Sequence, residues 1–174
     1  PRALSCSKVW PSGALMSFPR RIAVNRAGID RELRGDPLRI ALGGKAGQGQ
    51  AAKLLNNFLS ATAMAATSEA VAFGLSQGLD MKTLLDVVNV STGQNTATSD
   101  KFPNRIATGT YDAGFKTTLL TKDISLFLEN ARAAGTPSAV AGTVADLWRR
   151  CDEAMPDSDF TRIYEFLSGR EQDQ

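Results

Sequence analysis

From Gln50 to Gln77 the chain runs almost without a helix breaker, rich in Ala and Leu, until Gly78 stops it. Leu54, Phe58, Ala61, Ala65, Ala72 and Leu75 fall close to one helical stripe along this run. The span predicts a single helix on the order of 40 Å long, at a rise of 1.5 Å per residue. A helix of that extent has to be covered by several others, and its small residues let them approach closely. One long helix therefore dictates the plan of whatever forms around it.

The sequence beyond it keeps the same period. Asp80 is placed to cap a second helix through Leu84, Leu85 and Val88, and Asn89 to Ser99 is polar and turn-like. A short helix is expected around Phe102 to Ile106. Thr117 or Thr118 opens the next, whose Leu120, Ile124, Phe127, Leu128 and Ala131 form an apolar face that stops before Gly135. Pro137 stands where another helix can begin, with Val140, Val144, Leu147 and Trp148 on its buried side. A last helix from about Ser158 to Leu167 uses Phe160, Ile163, Tyr164 and Leu167, with Asp157 or Ser158 as its cap. The reading is an all-α domain over residues 47–174, built round one central helix.

The stretch before it differs. Residues 1–37 hold four prolines, scattered arginines and no sustained period, which predicts an irregular and disordered basic segment. Leu38 to Leu42 is a short apolar run ending in Gly43-Gly44, so residues 38–46 read as a lone strand and linker. Residues 1–44 carry eight Lys/Arg against three Asp/Glu, net +5, whereas residues 45–174 carry twelve against fifteen, net −3. Up to Ile29 there are five basic residues and no acid, a pattern similar to a mitochondrial leader. The arginines lack aromatic interleaving and helical clustering, so nucleic acid is not expected as a partner.

Composition removes several chemistries. The chain has no histidine, which excludes Ser/His/Asp and Cys/His triads, His-ligated zinc and histidine acid–base catalysis, and leaves proton transfer to Lys, Tyr or a carboxylate. Cys6 and Cys151 are the only cysteines, without metal-ligand spacing, so no metal is expected and a reduced compartment is the simpler reading. No stretch approaches about 18 consecutive apolar residues, so no membrane span is read. At 43% hydrophobic and 22% charged, the composition is that of a folded domain with a buried core.

The opening of the long helix carries the chemistry. Gly47-Gln48-Gly49-Gln50-Ala51-Ala52-Lys53-Leu54-Leu55-Asn56-Asn57 places glycines, a lysine and two asparagines within three turns. Lys53 is three residues before Asn56 and four before Asn57, so in a helix the side chains rise from adjoining turns. The glycines let a ligand approach the backbone, and the first N–H groups of the helix can receive a carboxylate. The plain alternative is a helix start with a solvated Lys53 and capping asparagines. Gly47 to Ala52 also satisfies G-x-G-x-x-A, but a dinucleotide-binding turn needs a second strand ending in an acid about 20 residues on, and that interval lies inside the long helix. A phosphate-binding P-loop fails too, because Ala46 follows Gly44-Lys45 where Ser or Thr is required.

The spaced pattern Gly-x-Gly-Gln-x-x-Lys-x-x-Asn-Asn resembles the signature that opens the C-terminal domain of the β-hydroxyacid dehydrogenases, the family that includes 3-hydroxyisobutyrate dehydrogenase. The likeness continues through Glu69-Ala70, Gly78-Leu79-Asp80, Asn89-Val90-Ser91-Thr92-Gly93, Phe115 and Lys122-Asp123-Ile124 to Ala134-Gly135-Thr136-Pro137. The resemblance implies an all-α fold like the C-terminal domain of 6-phosphogluconate dehydrogenase. It implies NAD or NADP as cofactor and a small 3-hydroxy acid as substrate. By the same resemblance Lys53 is the catalytic acid/base, Asn57, Asn56 and Gly49 bind substrate, and Lys122 and Phe115 approach the cofactor. A lysine desolvated beside a helix start can give its proton to a carbonyl oxygen as hydride arrives. For Lys122 a plain surface role beside Asp123 stays open, and for Phe115 a core role is the stronger expectation.

Family members carry a Rossmann domain ahead of the lysine motif, and residues 1–37 resemble none of it. Leu38 to Gly44 is similar to the final strand of such a domain. The expectation is therefore an incomplete NAD(P)-dependent dehydrogenase, inactive alone, that supplies a catalytic lysine and a surface for homo-oligomers. A non-catalytic helical dimerisation or interaction module is the second reading. The cytoplasm is the expected location, with the mitochondrial matrix as the alternative.

Overall fold

In the computed structural model, residues 47–169 are described, and the expected strand at Leu38 to Leu42 and the basic segment 1–37 lie outside them. The chain divides into two units, Pro1–Lys53 and Leu54–Gln174. Of the first, residues 47–53 are described: Gly47 at φ 93° supplies the turn that a Cβ would strain, and its carbonyl accepts the first helical bond from the Ala51 N–H at 2.9 Å.

Helix α1 spans Gln48–Ser76. Its end follows from Gly78 at φ 84°: the Leu79 N–H donates to the Gly74 carbonyl and the Gly78 N–H to that of Leu75, which is a Schellman closure. Leu54, Ala61 and Ala65 are buried as the stripe predicts, but Phe58, Ala72 and Leu75 are half-buried, and Asn57, Met64, Ser68 and Val71 take full burial instead. The reason is that α1 meets neighbours on more than one side. The Trp148 indole donates to the Ala61 carbonyl at 3.3 Å, while Thr67 accepts from Asn95 at 3.2 Å. By length and composition alone α1 would suffice to cross a membrane, and here it is partly packed inside protein, with Leu54, Ala61, Met64, Ala65 and Val71 buried.

Helix α2, Met81–Asn89, starts where expected: the Asp80 carboxylate accepts from the Thr83 N–H. A ten-residue π-helix follows at Ala97–Ile106, longer than the expected short helix, and Pro103 lies inside it. Proline has no N–H, so the Thr98 carbonyl, five residues back, would lose its helical donor. The Asn89 side chain supplies the replacement at 3.0 Å. Asn95 holds the entrance, its Oδ1 accepting from the Ala97 and Thr98 N–H groups.

Helices α3 (Thr117–Ala133) and α4 (Ala139–Ala154) form an antiparallel pair. Gly135 at φ 67° closes α3 in a second Schellman motif, with Thr136 N–H to the Ala131 carbonyl and Gly135 N–H to that of Arg132. The buried line of α4 runs through Ala141, Val144, Trp148 and Cys151. Val140, expected inside, is 59% exposed, because it lies one residue before Ala141 and so off that line. The last helix is a 3-10 turn, Phe160–Arg162, continuing as α5, Ile163–Ser168. Its cap is Asp159 rather than Asp157 or Ser158. Asp157 instead pairs with Lys116, and Ser158 gives its carbonyl to the Thr117 N–H. Trp148, Phe102, Ile124, Ile163 and Leu120 fill the core these elements enclose. Among the described residues all regular structure is helical, as the sequence predicts.

Candidate functional site

Asn57 is drawn inside because it falls on the side of α1 that buries Leu54 and Ala61, and it is 6% exposed. A buried amide needs partners, and its Nδ2 donates to the Asp123 Oδ2 at 2.7 Å. Asp123 stands on α3 three residues after Leu120 and one before Ile124, at 5% exposure. Beside this bond the rings of Phe58 and Phe127 stack 4.4 Å apart and within 7° of parallel. A charge-assisted hydrogen bond and an aromatic stack thus hold α1 against α3.

The bond sets the amide's orientation. With Nδ2 committed to Asp123, the Asn57 Oδ1 is turned the other way, and the exposed Asn56 directs its own Nδ2 toward it at 3.4 Å. The seam gathers Asn56, Asn57 and Asp123; Lys122, the residue before Asp123 on α3, is exposed. Of the expected set, the hydrogen bonds bring together Asn56 and Asn57, while Lys122 is the residue before the Asp123 that Asn57 meets.

Lys53 and Gly49 belong to the N-terminal unit. Lys53 is half-buried on α1. Gly49 lies within the helix, so the turn expected of two glycines is made by Gly47. Phe115 is half-buried ahead of α3: its N–H approaches the Asp159 Oδ2 at 3.3 Å, its carbonyl accepts from the Phe160 N–H at 2.9 Å, and its ring meets that of Phe160 edge-on at 6.2 Å. Packing accounts for its position. Among the described residues no three His, Cys, Asp or Glu side chains gather as metal ligands.

Asp123 is the member that sequence reasoning left out of the site. Its signal was present, since a carboxylate stands between Leu120 and Ile124 on the apolar side of a helix and so needs a buried donor. Which donor it meets depends on a contact across sixty-six residues.

The family model described as "NAD-binding of NADP-dependent 3-hydroxyisobutyrate dehydrogenase" matches residues 47–167. The mitochondrial 3-hydroxyisobutyrate dehydrogenase of Rattus norvegicus is 32% identical over 135 residues, covering 74% of this chain and 40% of that protein. The 3-hydroxyisobutyrate dehydrogenase of Pseudomonas aeruginosa is 36% identical over 137 residues, covering 74% and 46%. The solved structure of the Mycobacterium tuberculosis 3-hydroxyisobutyrate dehydrogenase with L-serine superposes with a TM-score of 0.68 at 30% identity, over 74% of this chain and 46% of that one. The chain thus spans less than half the length of these relatives. With the helical fold, the motif order and the family match agreeing over the same residues, the chain belongs to the NAD-binding family of the NADP-dependent 3-hydroxyisobutyrate dehydrogenases.

Proposed function

We propose that this chain contributes the helical half of an NAD(P)-dependent reaction centre that interconverts small 3-hydroxy acids and the corresponding 3-oxo acids. Lys53 serves as the acid/base, exchanging a proton with the substrate oxygen while hydride passes between substrate carbon and nicotinamide. Asn57, Asn56 and Gly49 hold the substrate, and Lys122 and Phe115 face the cofactor. Asp123 orients Asn57 from behind. The observation that carries this reading is the buried 2.7 Å bond between Asn57 and Asp123, which fixes an amide in one rotamer at the α1–α3 seam, against the helix that also bears Lys122. The relative solved with L-serine, itself a small 3-hydroxy acid, supports the substrate class.

On this reading hydride transfer also needs a dinucleotide-binding domain to hold the nicotinamide, so the 174-residue chain alone turns nothing over and meets the cofactor only weakly. The test is an NAD(P)H assay with 3-hydroxyisobutyrate and L-serine, together with amide-resolved NMR titration by NADPH to millimolar concentration. We expect no turnover, but cofactor-dependent shifts at Lys122 and Phe115. Absence of any shift there sinks the dehydrogenase reading. Micromolar affinity with turnover abolished by Lys53→Ala overturns the half-centre claim.

A second reading, a helical dimerisation module, is favoured by one observation. Leu55, Leu59 and Phe73, at 53%, 58% and 67% exposure, stand on the outer side of α1. Light scattering that finds a stable dimer indifferent to NADPH would favour it, and a monomer would remove it.

A further inference from the structure

The segment after α4 is bound to the lead-in of α3 by a continuous ladder. The Asp159 Oδ2 accepts from the Gly114 N–H at 2.8 Å and from the Phe115 N–H at 3.3 Å. The Phe160 N–H donates to the Phe115 carbonyl at 2.9 Å, and the Thr117 N–H to the Ser158 carbonyl at 2.8 Å. Thr117 and Ser158 join their hydroxyls at 2.9 Å, and the Lys116 ammonium meets Asp157 at 2.7 Å.

Asp159 has two jobs on its two oxygens. Oδ1 caps the last helix, accepting from the Thr161 N–H at 3.0 Å and the Thr161 hydroxyl at 2.6 Å. Oδ2 faces the other way and holds the α3 lead-in. A carboxylate can serve both because it only accepts. Gly114 stands at φ 81°, a backbone state that resists substitution by other residues.

We infer that Asp159 is a positioning residue for the cofactor side of the site, setting Phe115 directly and, through the first turn of α3, the placement of Lys122. The inference rests on the reading that Phe115 and Lys122 face NAD(P). On it, the last helix is part of the reaction centre's support, although it carries no group that meets substrate.

Asp159→Asn separates the two jobs. Asparagine caps a helix as well as aspartate does, so Oδ1 keeps Thr161, while the new NH2 group confronts the Gly114 and Phe115 donors. The experiment uses the full chain as wild type, Asp159→Asn and Lys116→Met, the last loosening only the exposed ion pair with Asp157. Amide hydrogen exchange is measured at Gly114, Phe115 and Leu120 to Ala131, and NADPH-dependent NMR shifts at Lys122 and Phe115. In Asp159→Asn we expect protection lost at Gly114 and Phe115, retained along α3, melting close to wild type, and the NADPH response at Lys122 weakened about tenfold in affinity. Lys116→Met should match the wild type in both. Unchanged exchange and unchanged NADPH response in Asp159→Asn overturn the inference. If the wild type itself shows no NADPH response, the cofactor reading fails and takes the functional role of Asp159 with it, while the exchange data still decide whether the anchor exists.

Discussion

Asn57 and Asp123, sixty-six residues apart in the chain, share a 2.7 Å hydrogen bond with both side chains buried. The bond joins the helix that opens the domain to the helix that bears Lys122, so the geometry of the proposed site and the packing of α1 on α3 are one problem.

Removing one partner should therefore cost stability as well as function. Asn57→Ala leaves the Asp123 carboxylate without this buried donor, a loss of about 1–3 kcal/mol. Urea unfolding of the two proteins measures it, and a difference below about 0.5 kcal/mol, the scale of an ordinary surface substitution, would mean the bond adds nothing. Asp123→Asn can still accept through its Oδ1, so it should lose less than Asp123→Ala.

The π-helix makes a sharper test, because two residues compensate for each other. Asn89→Ala deprives the Thr98 carbonyl of the donor that Pro103 cannot supply, at about 1 kcal/mol. In a Pro103→Ala background a backbone N–H is available again, and the same Asn89→Ala change should cost less. A double-mutant cycle by thermal unfolding reads the difference. Equal costs in the two backgrounds would separate Asn89 from Pro103.

Gly74 is a packing glycine within α1, where a Cβ would lie 2.0 Å from the Leu84 Cδ1. Gly74→Ala forces that side chain aside and should destabilise by about 1–3 kcal/mol, despite alanine's better helix propensity. Adding Leu84→Ala opens the space, so the alanine at 74 should then be tolerated or favourable. Calorimetry of the four proteins tests the reversal.

Cys151 is fully buried, and burial pushes its thiol up to about 12 from an ordinary 9.0. The native thiol stays protonated at pH 8 and should resist alkylation by iodoacetamide until the protein unfolds, as peptide mass spectrometry would show. The raised value also fixes a sign: this contribution to stability is complete below about pH 9, and is lost as pH rises from there through about 12, where the folded-state thiol ionises. Cys151→Ala should flatten that alkaline decline.

Much of the fold is legible along the chain because its cues are local. Breaker-free spacing reveals α1, Asp80 announces α2, and Gly78 and Gly135 mark helix ends through a left-handed backbone that glycine adopts freely. The candidate site is legible only as a pattern: Lys53, Asn56 and Asn57 recur at helical spacing, and Lys122 stands in a motif far downstream. Where spacing failed, the packing of the folded chain decided. Val140 fits an apolar stripe but lies off the line that α4 buries. Asp159 caps the last helix in place of Asp157 or Ser158 because Lys116 and Thr117 claim those two.

The sequence by itself determined the helical class, the glycine-marked ends of α1 and α3 and the residue types able to do chemistry, since hydrogen bonding within a helix and the conformational freedom of glycine are properties of neighbours along the chain. Only the tertiary structure decided that Asn57 meets Asp123, that Asn89 replaces the donor missing at Pro103, and that Asp159 holds both a helix and the approach to another. Each is a polar group removed from water, and such a group takes its partner from whatever the packing brings within about 3 Å, which no local rule specifies.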